Sequence, residues 1–195
     1  MSAIARYFNA IGLSVSGYDK TQTPLTDALI KEGIDVRFTP SIEFIETLND
    51  SDLVVYTPAI PKDFPEFEIL KKKNIKLYKR AEVLGLLSKD KKCLGVAGTH
   101  GKTTTSSLLA HIYNVSQIKA SAFLGGIASN FNTNVVIEEK SDYVVLESDE
   151  FDRSFLHLNP LGTIVTSTDA DHLDIYGSGD SLQKAFQEYV DLVNT

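Results

Sequence analysis

The residues Gly98-Thr-His-Gly-Lys-Thr-Thr-Thr105 have the types and spacing of a phosphate cradle. Glycines let successive backbone N–H groups turn toward an anion, and a helix beginning at the lysine adds partial positive charge. In such a loop Lys102 reaches the terminal phosphates and the Thr103 hydroxyl completes a magnesium shell. Gly98, Thr99, His100, Gly101 and Thr104 complete the expected nucleotide contacts. The generic phosphate loop carries a glycine five residues before its second one, and Val96 stands there, so this is a shorter variant that starts at Gly98. The expected ligand is a nucleoside triphosphate.

Two acidic clusters suit a divalent cation beside that phosphate. Glu147-Ser-Asp-Glu150, with Asp152, follows the apolar run Tyr143-Val-Val-Leu146, and Asp169-Ala-Asp-His-Leu-Asp174 follows Thr163-Ile-Val-Thr166. Open α/β sheets hold ligands outside the carboxyl ends of their strands. Magnesium keeps several waters and takes few protein ligands, so Glu147 and His172 are the two expected from these clusters, beside Thr103. The other acids read as helix caps and solvated loop charge. Lys102 and His172 are the expected catalytic residues, in phosphoryl transfer where positioning and charge neutralisation dominate. His100 lies inside the loop, whereas His111 and His157 read as structural, and no nucleophile–base pairing stands out.

The elements that must position these residues fall into two α/β blocks, residues 1–88 and 89–195, joined at the polar Ser88-Lys-Asp-Lys-Lys92. In the first, an N-terminal helix carrying Ile4, Phe8 and Ile11 precedes strands at Leu13–Gly17, Ile34–Phe38, Leu53–Thr57 and Ile75–Tyr78. Helices at Leu25–Glu32, Ser41–Leu48, Phe64–Lys73 and Ala81–Leu87 alternate with them, Gly33 and Ser41 serving as stop and N-cap. That alternation predicts a parallel sheet with right-handed crossovers. In the second block the strand Cys93–Ala97 feeds the glycine loop and a helix, and Val135–Ile137, Tyr143–Leu146 and Thr163–Thr166 are further strands. Gly125-Gly126 and residues 130–134 mark loops, and Leu182, Phe186, Tyr189, Val190 and Val193 repeat at helical spacing.

Composition excludes several classes. A net charge of −7 argues against a nucleic-acid binder, and Lys71-Lys72-Lys73 reads as a solvated helix end. No apolar run approaches the ~20 residues that span a bilayer, and the first residues lack a signal peptide's apolar core. One cysteine, Cys93, excludes an intramolecular disulfide and reads as a buried hydrophobe, so a reducing, cytoplasmic location is expected.

Together with Ser16-Gly-Tyr-Asp19 and Tyr56-Thr-Pro-Ala-Ile-Pro61, these motifs resemble the Mur ligase family, the ATP-dependent amino-acid ligases of peptidoglycan precursor synthesis. The resemblance runs from Met1 to Thr195. It implies ATP and Mg2+ as cofactors, with ATP phosphorylating a muramyl carboxylate and an amino-acid amine then displacing phosphate. Phe151-Asp-Arg-Ser-Phe-Leu-His-Leu-Asn-Pro160 looks like the branch that joins L-alanine to UDP-N-acetylmuramate. A branch that attaches a recycled tripeptide shares the glycine loop and is the alternative. By resemblance Lys102 and Thr103 contact phosphates and metal, Glu147 and His172 bind magnesium, and Ser2, Asp19, Thr57, Pro58 and Ala59 lie near the UDP.

The family opens with a strand and a glycine-rich turn leading onto Met-Ser, and this sequence starts at Met1-Ser2. The family's last domain and part of its central one also have no counterpart. The expectation is therefore a UDP-binding, Rossmann-like block lacking its first strand, followed by an incomplete P-loop ATPase block, together an inactive fragment of an active ligase. Ser167 stands where the family usually has asparagine. Two other classes compete. One is a P-loop binding module without ligase activity. The other is a dinucleotide-dependent oxidoreductase, which needs a G-x-G-x-x-G turn after its first strand, and the sequence has none.

Overall fold

The computed structural model describes all residues except Pro58, Ala59, Lys62, His172, Asn194 and Thr195. It divides into two units, Met1–Val83 and Leu84–Thr195.

In the first unit, α1 (Ser2–Ala10), β1 (Ser16–Tyr18), α2 (Pro24–Lys31), β2 (Asp35–Arg37), α3 (Ile42–Thr47), β3 (Val54–Tyr56), α4 (Pro65–Lys72) and β4 (Leu77–Lys79) alternate, and α5 (Arg80–Lys89) begins. Local chemistry sets the helix limits. Thr23 and Thr26 form a reciprocal capping box ahead of α2, Pro24 presets the first helical φ, and Gly33 leaves the helix at φ 90°. Ser41 Oγ accepts from Phe44 N (3.2 Å) at the start of α3. The buried Glu66 of α4 accepts from Ser41 N (2.7 Å), so one carboxylate ties two helices together. Ile45, Leu70 and Ile75 form the core there, flanked by Phe44, Leu48, Val54 and Phe67. Lys73 donates to Glu46 O at the end of α3 (2.5 Å), as a cation at a helix terminus should.

The expected single parallel sheet is instead two separate two-stranded parallel sheets, β1–β2 and β3–β4. A bridging strand would have to hydrogen-bond to an edge of each pair. α1 buries Ala3 and Ile4, and its Arg6 is forked onto Glu32 (both bonds 2.7 Å).

The second unit contains β5 (Lys92–Ala97), α6 (Lys102–Val115), β6 (Ala120–Ala128), β7 (Thr133–Val136), β8 (Tyr143–Glu147), a 3-10 turn (Phe151–His157), β9 (Pro160–Val165), α7 (Leu173–Tyr176) and α8 (Gly179–Val190). Its five strands form one sheet in the order β7-β6-β8-β5-β9. The inner pairs are parallel and β7 is an antiparallel edge. Ala110 of α6 packs with Ala120, Ala122, Leu124 and Val145 of the sheet. Leu182, Ala185, Phe186 and Tyr189 of α8 are buried, with Phe155 stacked on Tyr189 at 4.8 Å. Cys93 is fully buried in β5, and burial pushes its thiol up to about 12.

Gly125-Gly126, expected in a loop, lies inside β6. The β6–β7 register shifts between Phe123 and Ala128, so the glycines occupy an irregular stretch of strand. A Cβ on Gly125 would lie 2.1 Å from Glu147 Oε1, which explains why a residue without a side chain stands there. Among the described residues no helix is long and apolar enough to cross a membrane.

Candidate functional site

Three neighbouring strands, β8, β5 and β9, deliver their carboxyl ends to the start of α6. β5 ends at Ala97 and the chain turns through Gly98 (φ 133°) and Gly101 (φ 79°), a conformation that suits glycine. At Gly98 a Cβ would also meet Thr166 Oγ1 at 2.1 Å. The turn is fastened to the end of β9. Thr99 N donates to Ser167 O (3.1 Å), His100 N donates to Ser167 Oγ (3.0 Å), and the Thr99 and Ser167 hydroxyls lie 2.8 Å apart. Thr166 Oγ1 donates to Ala97 O (3.1 Å) and to His100 O. Asp169 N donates to Thr99 Oγ1 (3.2 Å), which brings the start of the second acidic cluster to the turn.

At Gly101 the helix α6 begins without a capping side chain, so its first N–H groups remain for another acceptor. Lys102 opens that helix. Its ammonium donates to Gly98 O (2.7 Å) and to both oxygens of Glu150 (2.9 and 2.8 Å). Glu150 is fully buried and the Lys102 side chain is 16% exposed. Next along the helix, Thr103 Oγ1 donates to Glu147 Oε1 (3.0 Å), and Ser106 Oγ donates to Glu147 Oε2 (3.2 Å). Gly125 N donates to the same Oε2 at 2.7 Å. The last residue of β8 is thus held by a helix hydroxyl pair and a strand amide. Its oxygens, with the Thr103 hydroxyl, are hard donors of the kind magnesium takes.

Glu150 is fixed from behind. Tyr176 Oη donates to its backbone carbonyl (2.5 Å), and burial first, with Glu150, Asp149 and Asp152 acting the same way and Arg153 against them, pushes that phenol up. Asp152 and Arg153, two and three residues after it, take left-handed φ of 52° and 54°, strained for residues with side chains. Arg153 pairs with Glu188 of α8.

The structure brings Gly98, Thr99, His100, Gly101, Lys102, Thr103 and Glu147 together, with Thr104 exposed on the first turn of α6. His172 lies outside the described residues, as do Pro58 and Ala59. In the first unit, Asp19 follows β1 and accepts from Thr21 N (3.0 Å), and Thr57 follows β3. Ser2 opens α1. Burial lowers the Met1 amine to about 6, with Arg80 acting the same way and Asp19 against it. His111 stays with Asn130 and Phe131, away from the loop residues it was separated from by sequence.

Four participants were not legible as such. Glu150, Ser106, Gly125 and Ser167 acquire their parts through contacts 22 to 68 residues away in the chain. β8 buries Val144, Val145 and Leu146 in succession, and beyond it Ser148 and Glu150 are buried while Glu147 and Asp149 are half-buried, a pattern that four consecutive polar residues do not announce.

Residues 1–92 match the family model described as Mur ligase family, catalytic domain, and residues 96–195 match the Mur ligase middle domain. A UDP-N-acetylmuramate–L-alanine ligase of Porphyromonas gingivalis is 49% identical over all of this chain, and one of Christiangramia forsetii is 51% identical over 97% of it. The chain spans 43% and 42% of the lengths of those two relatives. Among solved structures, the UDP-N-acetylmuramate-alanine ligase of Thermotoga maritima superposes with a TM-score of 0.84 at 32% identity, covering 97% of this chain and 44% of its own. The UDP-N-acetylmuramate:L-alanyl-gamma-D-glutamyl-meso-diaminopimelate ligase of Neisseria meningitides reaches 0.86 at 26% identity, covering all of this chain and 65% of its own. With both of its units matched by the family's own domains, the chain belongs to the Mur ligase family.

Proposed function

We propose that this chain carries the nucleotide- and UDP-sugar-binding parts of an ATP-dependent ligase that joins L-alanine to UDP-N-acetylmuramate in peptidoglycan precursor synthesis. Residues 89–195 hold ATP and residues 1–88 hold the UDP-sugar. The observation that carries the reading is Lys102 at the head of an uncapped helix, facing the ends of three parallel strands. The uncapped N–H groups and the ammonium are the donors a polyphosphate requires, and the similarity to L-alanine ligases supports the substrates.

Lys102 and the loop from Gly98 to Thr104 bind the phosphates. Thr103, Glu147 and His172 hold Mg2+, which supplies charge neutralisation on the phosphates when bound. A muramyl carboxylate oxygen attacks the terminal phosphorus and ADP leaves. The alanine amine then attacks the acyl carbon, phosphate leaves with the bonding electrons, and a proton is released as the amide forms. Lys102 and the head of α6 orient and stabilise the negative charge in the first step. His172 acts with the metal site. Ser2, Asp19, Thr57, Pro58 and Ala59 line the UDP end. The cytoplasm, where ATP is supplied, is the proposed location. A tripeptide ligase is the second reading, supported by the 0.86 superposition.

Calorimetry with Mg-ATP tests the site: binding should weaken about tenfold or more in Lys102→Ala, the loss of one charged hydrogen-bonding group. Equal binding by both proteins would sink the assignment. Phosphate release in the presence of UDP-N-acetylmuramate, with L-alanine or tripeptide added in parallel, separates the two ligases.

A further inference from the structure

An ammonium has three hydrogens to donate, and Lys102 has given all of them to the protein. One goes to Gly98 O at 2.7 Å and two converge on the Glu150 carboxylate at 2.8 and 2.9 Å. A phosphate oxygen that reaches the head of α6 can therefore receive a hydrogen bond from Lys102 only if one of these is released. Glu150 cannot follow the lysine outward. It is fully buried, its carbonyl is held by Tyr176, and the chain beyond it is locked by the left-handed Asp152 and Arg153. The movement must be made by the lysine. The paired charges also cancel over a few ångströms, so an arriving anion meets a neutralised cation.

Resting on the reading of this loop as a phosphate site, we infer that Glu150 is a positioning residue that latches Lys102, and that phosphate binds by taking the lysine from it. Glu150 then sets how tightly the loop holds phosphate without touching the phosphate itself. A carboxylate that merely pre-aimed the lysine would act in the opposite direction: its removal would loosen phosphate binding, whereas removing a latch tightens it.

The test uses the full chain and magnesium-free tripolyphosphate. In the unaltered protein, NMR should detect the Lys102 NH3+ group through its coupling across the hydrogen bond to the Glu150 carboxyl carbon. That coupling should vanish as tripolyphosphate saturates the loop and shifts the amides of residues 98–103. In calorimetry, Glu150→Gln should bind tripolyphosphate about tenfold more tightly, the worth of one charged hydrogen bond no longer exchanged. Glu150→Asp, which keeps the charge, should stay closer to the unaltered protein. In a Lys102→Ala background the gain from Glu150→Gln should disappear. The latch is overturned if the coupling survives at saturation, if Glu150→Gln weakens binding, or if its gain persists undiminished without Lys102. Should Glu150→Gln not fold, the titration of the unaltered chain decides alone. No amide shift at any tripolyphosphate concentration would instead remove the phosphate reading, and the latch with it, an outcome distinct from amides that shift while the lysine stays put.

Discussion

The two units use the same β-α alternation to different mechanical ends. Among the described residues, every strand of the first unit is three residues long and contains no fully buried position, and the strands pair only two by two. In the second unit β5 and β8 lie inside a five-stranded sheet, with Cys93, Val96, Ala97 and Val144 to Leu146 removed from water. The first unit rests on helix contacts, Ile45 and Leu70 against Ile75, and on polar ties such as Glu66 to Ser41. The second rests on sheet faces covered by α6 and α8. Charge placement follows the difference. A fully buried carboxylate paired to a lysine demands a rigid surround, because a loosened pair leaves an uncompensated buried charge. Glu150 and Lys102 stand where the sheet is continuous, whereas Asp19 and Thr57 stand at the ends of short strands near water.

The sharpest way to break this contrast is to hollow each unit. Phe155 is fully buried between Tyr189 (stacked, 4.8 Å) and Phe186 (edge-on, 5.4 Å), so Phe155→Ala should cost about 3–5 kcal/mol in denaturant unfolding. Phe67 of α4 is only half-buried against Tyr56 and Phe64, and Phe67→Ala should cost about half as much. Equal losses would mean that the first unit packs as tightly as the second. A pair of glycines makes the same comparison with one methyl group. A Cβ on Gly95 in β5 would fall 1.9 Å from the Tyr189 hydroxyl, which is itself bonded to Ser148. A Cβ on Gly17 in β1 would meet nothing within 4 Å. Gly95→Ala should destabilise by about 1–3 kcal/mol, and Gly17→Ala should be neutral or stabilise by about 0.5 kcal/mol through the unfolded chain. Thermal melts of the two variants check this.

What the sequence disclosed divides along the same line. Short-range chemistry was legible: Gly33 after α2, Ser41 before α3, and the strand–turn–helix at Cys93 to Tyr113 all appear as read. β6 escaped because Ala120-Ser-Ala-Phe-Leu-Gly-Gly-Ile-Ala128 has a single β-branched residue and two glycines, which locally signal a turn. Only the incoming Glu147 side chain, 22 residues on, gives Gly125 its reason to be a strand residue. In the first unit each strand carries the right pattern by itself, and continuity of the sheet depends on what lies between the pairs. In the site, Lys102 and Glu147 could be picked out by their places after strands. The bond from Lys102 to Glu150 spans 48 residues and joins two types that usually face water.

Cys93 offers a further contrast, in pH. Burial raises its thiol from 9.0 to about 12, so the folded state keeps the proton that the unfolded chain loses above pH 9. For a raised value the stabilisation is complete below the unfolded pKa and disappears as pH rises toward the folded one. Between pH 9 and 12 the second unit should therefore lose about 1.4 kcal/mol per pH unit to this group. The buried phenols of Tyr189 and Tyr176 shift the same way, so Cys93→Ala should reduce the alkaline slope without abolishing it. Urea titrations at pH 8 and 10 compare the slopes, and an unchanged slope in Cys93→Ala would mean that the thiol is not shielded in solution.

Helix caps supply the smallest test, and here the units should agree. Ser41 caps α3 in the first unit and Ser178 caps α8 in the second, each hydroxyl accepting at 3.2 Å from the amide three residues on. Ser41→Ala and Ser178→Ala should each cost about 1 kcal/mol in denaturant unfolding, because a cap closes within its own turn and is indifferent to sheet continuity. Glu66 still accepts from the backbone N–H of residue 41 after the change, so only the bond to Phe44 is lost there. A clearly larger loss at Ser41 than at Ser178 would show that α3 depends on its first turn for its existence, and that the first unit's helices, not only its strands, are held by little beyond local bonds.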